Sequence, residues 1–200
     1  MSQHASICRT YILPIYILCL GSLFCLGNVH AATQERPDPE LRAALAAAVN
    51  SSDSFKDRFY AEVWLMDMSS RLKKWMGDNQ ARIDFLKNVH YEATRADLPP
   101  ELVLAVIDVE SNFNRWAISG VGAQGLMQVM PFWLKEIGRP GDNLFDIRTN
   151  LRFGCTILKQ YVKREKGNLQ RALARYNGSL GSVRYPNKVF DKLRVRWFRR

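Results

Sequence analysis

The chain has 200 residues, 47% of them hydrophobic and 24% charged, enough apolar material for one buried core and too much for bulk disorder. With 29 Lys and Arg against 19 Asp and Glu, its formal net charge is +10. Such a balance favours polyanionic partners: nucleic acid, an anionic membrane face or a carboxylate-bearing cell-wall polymer.

The first element reads as a targeting segment. Arg9 is the only charge ahead of the apolar run from Tyr11 to Leu26, and the small-residue stretch Val29-His30-Ala31-Ala32 follows. A charged start, an apolar middle and a small-residue cleavage site predict a signal peptide over residues 1–31, cut after Ala31, and a periplasmic destination. The run is short for a membrane span and contains Pro14, although an uncleaved inner-membrane anchor is the alternative. Bulky Leu18 and Phe24 before Cys19 and Cys25 argue against a lipid anchor. Export makes nucleic acid the weakest of the three partners. Losing Arg9 leaves a charge of about +9, with Cys155 and His90 as the only cysteine and histidine. One thiol cannot form an internal disulfide, and neither a metal site nor a cofactor is expected. A Ser/His or Cys/His dyad would have to use His90.

Residues 33–40 are polar and contain proline, as a loose chain start would. Residues 32–92 read as a helical extension, and an all-α fold is expected throughout. Phe59, Val63, Met66 and Ser70 share one helical face, with Phe55 a turn earlier, and the aromatics Phe55, Phe59 and Trp64 suit a core better than a sugar platform. Gly77-Asp78-Asn79 breaks this helix; Asp78 can cap the next one, in which Ile83, Leu86, Val89 and Ala93 form the buried stripe. Leu98-Pro99-Pro100-Glu101 opens a third helix, since proline is tolerated in a first turn. From Leu102 to Val109 this helix is apolar almost all round, which predicts a central, buried position. A glycine-containing loop over 114–125 follows, then helices at roughly 126–137, 148–166 and 168–176. The last stretch, 191–200, is a basic tail suited either to an anionic envelope surface or to plain solvation.

Glu110 stands out on physical grounds. It ends the apolar helix, with Val103, Val106 and Ile107 on its own face, so desolvation and the negative helix terminus both oppose its ionisation. An acid that must hold a proton near neutrality needs this environment, although a glutamate at a helix end can also simply face water. Asp108, two residues earlier, points almost oppositely and suits a structural role. Asp142 and Asp146 could approach Glu110 only through the fold. Gly120-Val121-Gly122-Ala123-Gln124-Gly125 matches the dinucleotide pattern in form, but it follows a helix instead of a strand, so the glycines serve a tight loop. Cys155 reads as a small buried hydrophobe.

Glu110-Ser111, Gly125-Leu126-Met127-Gln128 with Pro131, and Tyr176-Asn177 form an ordered set that resembles the catalytic domain of the soluble lytic transglycosylases, relatives of goose-type lysozyme. The resemblance covers residues 93–190 and implies a lysozyme-like helical domain with a groove for alternating N-acetylglucosamine and N-acetylmuramic acid. It implies that Glu110 is the sole catalytic carboxyl, protonating the glycosidic oxygen and then accepting the muramoyl 6-hydroxyl proton to leave a 1,6-anhydro end. Ser111 would contact the acetamido region, Met127 and Gln128 would line the groove, and Tyr176 with Asn177 would contact sugar and position Glu110. Taken alone, Met127 suits core filling, and Tyr176-Asn177 suits a helix end before Gly178. Arg175 departs from the family pattern, which has a small residue there. The expected partner is the peptidoglycan strand, acted on by a monomer. Two other readings keep that partner: a hydrolase of lysozyme type, and an inactive wall-binding module of an envelope assembly.

Overall fold

In the computed structural model, residues 54, 55 and 57–198 are described; the signal segment, Cys8, Cys19, Cys25, the polar stretch 33–40, Arg199 and Arg200 lie outside them. Among the described residues seven α-helices follow in order: α1 (Arg58–Leu72), α2 (Asn79–Arg95), α3 (Pro100–Glu110), α4 (Trp133–Ile137), α5 (Ile147–Arg164), α6 (Leu169–Tyr176) and α7 (Arg184–Lys192). A π-helical turn, Leu193–Trp197, closes the described chain. Among the described residues the only β-type pairing is two isolated bridges, Ile118 with Gln124 and Gln124 with Val129. The all-α expectation is met. No described helix is long and apolar enough to cross a membrane.

Local chemistry sets most boundaries. Asp57, Asp78, Asp146 and Asn168 each accept a bond from a backbone N–H three residues on, capping α1, α2, α5 and α6. Pro100 starts α3 where its missing N–H costs nothing. The stripe Ile83, Leu86, Val89 and Ala93 of α2 is buried as its spacing requires.

In α1 the spacing misleads. Phe59 is 77% exposed and Ser70 is exposed, while Ala61, Trp64, Leu65, Met68, Ser69 and Leu72 face inward. Apolar residues occupy most of the circumference of α1, so periodicity leaves two faces competing. Trp64 decides between them by burying the largest side chain and donating its indole N–H to Glu101 at 2.8 Å. Arg82, 2% exposed, has no carboxylate partner among the described residues and instead pins the α1–α2 turn. It donates to Ser69 Oγ at 3.1 Å, to the carbonyls of Met76 at 2.6 Å and Gly77 at 2.8 Å, and to Asn79 Oδ1.

Helix α3 is the buried centre: Leu102 to Asp108 are all buried, and it packs against α2, α7 and the π-helical turn. Each of its apolar side chains contributes roughly 2 kcal/mol by leaving water. Asp108, 4% exposed, holds the end of the chain in place. Its Oδ2 accepts from Arg196 at 2.6 Å and from the Trp197 indole at 3.0 Å, and Lys192 stands 3.2 Å from Oδ1. Trp197 is fully buried, stacked on Trp75 and tilted against Phe113, so this one residue of the basic tail is part of the core.

Residues 126–132 do not join α4 in one helix. Gly125 and Gln128 have φ of +75° and +47°, which a right-handed helix cannot accommodate, and Gln124 and Val129 exchange backbone bonds of 2.9 and 3.0 Å. Asn150, 1% exposed, replaces the missing helical bonds. Its amide accepts from Met127 N at 2.8 Å and donates to the carbonyls of Gln124 at 2.9 Å and Leu144 at 2.8 Å. A Cβ on Gly125 would lie 2.3 Å from Asn150 Nδ2, so only glycine lets this side chain in.

Replacing Asn150 with Ala leaves three buried backbone groups unpaired and is expected to cost roughly 3 kcal/mol of stability, read as a lower urea midpoint. An unchanged midpoint would contradict this role for the amide.

Candidate active site

Glu110 is the last residue of α3, where the apolar helix meets an open cleft lined also by Val109, Asn177, Ser179, Ser182, Arg184, Tyr185 and Lys188. The chain turns sharply beyond it: Ser111 caps the helix, and Asn112 and Phe113 both adopt left-handed φ, +49° and +65°. For an aromatic residue this backbone is strained. Phe113 is held there by burial among Trp75, Phe85 and Trp197, with ring centroids 4.7, 6.0 and 5.4 Å away. The aromatic cluster and the Asp108 anchor thus brace the end of α3 on which Glu110 sits.

The Glu110 carboxyl is raised from 4.5 to about 7, chiefly because burial disfavours its charged form. One bond acts the other way: the Tyr185 hydroxyl donates to Oε1 at 2.6 Å. Among the described residues no donor reaches Oε2. The carboxyl is therefore held at one oxygen while the other is left for a ligand. Burial and the neighbouring Glu110 carboxylate push the Tyr185 phenol well above its ordinary range, so it remains a donor.

Tyr176, at the end of α6, is raised in the same way by burial first and then by Glu110. Its hydroxyl donates to the Met127 carbonyl at 2.7 Å, tying α6 to the Gly125–Gln128 turn. Met127 itself is fully buried, and a Cβ on Gly154 would sit 2.4 Å from its sulfur, so the side chain fills a notch in α5. Gln128 is half-buried and donates to the carbonyls of Ala117 at 3.2 Å and Gly125 at 3.0 Å. Ser111 donates back to Ile107 O at 3.2 Å, and Asn177 is exposed on the cleft wall. Of the residues picked from sequence, Glu110 and Asn177 line the cleft together, and Tyr176 stands close enough to feel the Glu110 charge. Met127 and Gln128 shape the supporting turn.

Sequence reasoning passed over Tyr185. It lies in the first turn of α7, beyond the third motif, and nothing in its spacing marks it; the packing of α7 against α3 brings it to Glu110. The unusual Arg175 is turned to Glu165, donating from Nε at 2.7 Å beside Arg171 at 2.6 Å. Asp142 binds Arg152 at 2.6 Å, and Asp146 caps α5, so both are committed elsewhere. His90 stacks on Phe55 with Nδ1 2.9 Å from Ser54 Oγ, and burial lowers it to about 4. Cys155 is fully buried, and burial pushes its thiol far up, as suits an inert core position.

The profile of the family described as "Transglycosylase SLT domain" matches residues 87–194. A transglycosylase of Enterobacteria phage PRD1 is 34% identical over 106 residues, covering 50% of this chain and 39% of the phage protein. Membrane-bound lytic murein transglycosylase C of Yersinia enterocolitica is 34% identical over 115 residues, covering 50% of this chain and 32% of its own. The chain thus spans about a third of the length of these curated relatives. Among solved structures, an inactive mutant of lytic transglycosylase Slt from Pseudomonas aeruginosa is 26% identical with a TM-score of 0.43, over 72% of this chain and 26% of that one. The 70-kDa soluble lytic transglycosylase of Escherichia coli gives 23%, 0.42, 76% and 25% for the same quantities.

The raised carboxyl carries a stability consequence. Because its folded value, about 7, exceeds the ordinary 4.5, the folded state binds the extra proton between these values. The contribution is fully present below about 4.5 and is lost as pH rises through about 7. Glu110→Gln removes the ionisation, so the variant should gain about 3 kcal/mol over the wild type between pH 4 and pH 8. Denaturant melts at both pH values test this; a difference that does not change with pH would contradict it.

Proposed function

The chain belongs to the SLT transglycosylase family, and from that membership and the geometry around Glu110 we propose that it is a peptidoglycan lytic transglycosylase, cleaving the β-1,4 bond between N-acetylmuramic acid and N-acetylglucosamine. The observation that carries this reading is one half-buried carboxyl, raised to about 7, that opens onto a cleft with no second carboxylate among its lining residues.

The chemistry follows from a single acid that must act twice. Protonated Glu110 donates from the oxygen free of Tyr185 to the glycosidic oxygen, and the bond from that oxygen to the muramoyl C1 breaks. The electron-poor C1 is then closed by the C6 hydroxyl oxygen of the same sugar. Its proton returns to the Glu110 carboxylate as the new C1–O6 bond forms. No water is consumed, the enzyme regains its starting protonation state, and the product is a 1,6-anhydromuramoyl end. A carboxyl near 7 suits both halves, being nearly balanced between donor and acceptor at neutral pH. Tyr185 moderates the effect of burial by stabilising the ionised form produced midway.

The remaining roles belong to the same proposal. Ser111 and Asn177 contact the sugar at the cleft, Tyr176 positions the acid, and Met127 with Gln128 maintains the groove wall. Residues 93–190 form the catalytic domain, 32–92 its helical extension and 191–200 its basic end. The enzyme works as a monomer without a cofactor, in the periplasm, reached through the targeting segment 1–31. The positive balance of the chain suits an anionic wall polymer.

Mass spectrometry of digested sacculi tests the reaction: anhydromuramoyl ends support ring closure, whereas reducing muramic ends would mean hydrolysis. Glu110→Gln should slow release of soluble fragments by roughly a thousandfold. Release at the wild-type rate would remove Glu110 as the acid and leave a wall-binding module as the better reading. The pH profile gives a separate check. Since kcat/KM requires protonated Glu110, it should fall above about pH 7, and Tyr185→Phe, which removes the bond favouring the ionised form, should move that limb to higher pH.

A further inference from the structure

Two cations on the rim of the cleft have no role in the reaction just described. Arg184 and Lys188 stand one helical turn apart on α7, both exposed and both lining the cleft that holds Glu110. The i, i+4 spacing puts their side chains on one face, about 6 Å apart at their bases. Among the described residues neither forms an ion pair. Several other cations are matched: Arg71 with Asp67, Arg95 with Glu92, Arg152 with Asp142, and Arg171 and Arg175 with Glu165.

Their charge is not explained by the acid. A cation close to Glu110 would favour its ionised form and work against holding the proton. Neither cation pairs with Glu110 among the described residues, and both are exposed where they line the cleft. Nor is the charge explained by sugar, since the N-acetylated rings carry no charge of their own. Where wall glycan does carry negative charge is on the peptides that branch from its muramoyl residues.

We propose that Arg184 and Lys188 form a subsite for the carboxylates of the stem peptide, so that the enzyme prefers glycan bearing acidic stems to bare glycan. This rests on the transglycosylase reading above. The neighbouring Asn177, Ser179 and Ser182 supply neutral hydrogen-bonding groups beside the two charges, as a peptide backbone crossing the rim requires. Being exposed, each ion pair contributes modestly and is weakened by salt.

The test compares two substrates prepared from one batch of sacculi: strands with intact stems, and strands from which an amidase has removed the stems and whose newly exposed lactyl carboxylates have been blocked as amides. The full chain should show a higher kcat/KM on the stem-bearing strands, and added salt should narrow the gap. In the double variant Arg184→Glu with Lys188→Glu, the ratio of the two kcat/KM values should fall about tenfold, through KM on stem-bearing strands. The milder Lys188→Gln should give a partial fall, which guards against misfolding of the double variant. Blocking the stem carboxyls as amides should reproduce the loss with the unaltered protein. A ratio unchanged in the variants, or an equal loss on both substrates, would overturn the subsite. Failure of the unaltered protein to cut either substrate would instead overturn the transglycosylase reading, and with it this one.

Discussion

The structure depends on keeping a carboxyl group out of water at the end of an apolar helix. Leu102 to Ile107 bury the body of α3, and the helix delivers Glu110 to the point where core gives way to cleft. Burial alone favours the neutral acid, while the single bond from Tyr185 favours the ion. The two opposing effects leave the group near neutrality, which neither would achieve alone. A fully sealed carboxyl could not pass its proton on, and a fully solvated one would have lost it.

Much of the remaining architecture holds that helix end in place. Asp108, two residues before the acid, points the other way and receives Arg196 and Trp197 from the close of the described chain. Trp197 then joins Trp75 and Phe113 in one aromatic cluster, and this packing offsets the left-handed backbone through which the chain leaves α3. From the opposite side, Asn150 builds the Gly125–Gln128 turn, and Tyr176 clasps the Met127 carbonyl. Two carboxylates so close in sequence thus do unlike work. Asp108 is compensated by cations and serves the fold, whereas Glu110 forms no ion pair among the described residues and keeps a displaced pKa.

What could be read from the sequence was what depends on near neighbours. The cap at Asp78, the helix start at Pro100, the stripe of α2 and the buried run of α3 all follow from contacts within a turn or two, and so did the desolvation of Glu110. Periodicity misplaced the inner face of α1 because its apolar residues leave two faces available, and the burial of Trp64 with its bond to Glu101 distinguishes them. The stretch 126–132 read as helix because Leu126, Met127 and Gln128 favour helix locally, yet Asn150, more than twenty residues on, supplies the bonds of a turn instead. Tyr185 was invisible for the same reason. It is 75 residues from Glu110, and only the packing of α7 on α3 brings the two together.

The account turns on the protonation of one group, which can be observed directly. With glutamate side chains labelled by 13C at the carboxyl, an NMR titration of the wild type should contain one resonance with a midpoint near 7, and that resonance should be missing from Glu110→Gln. If every glutamate, Glu110 included, instead titrates near the ordinary 4.5, the helix end does not hold a proton at neutral pH and the account is wrong.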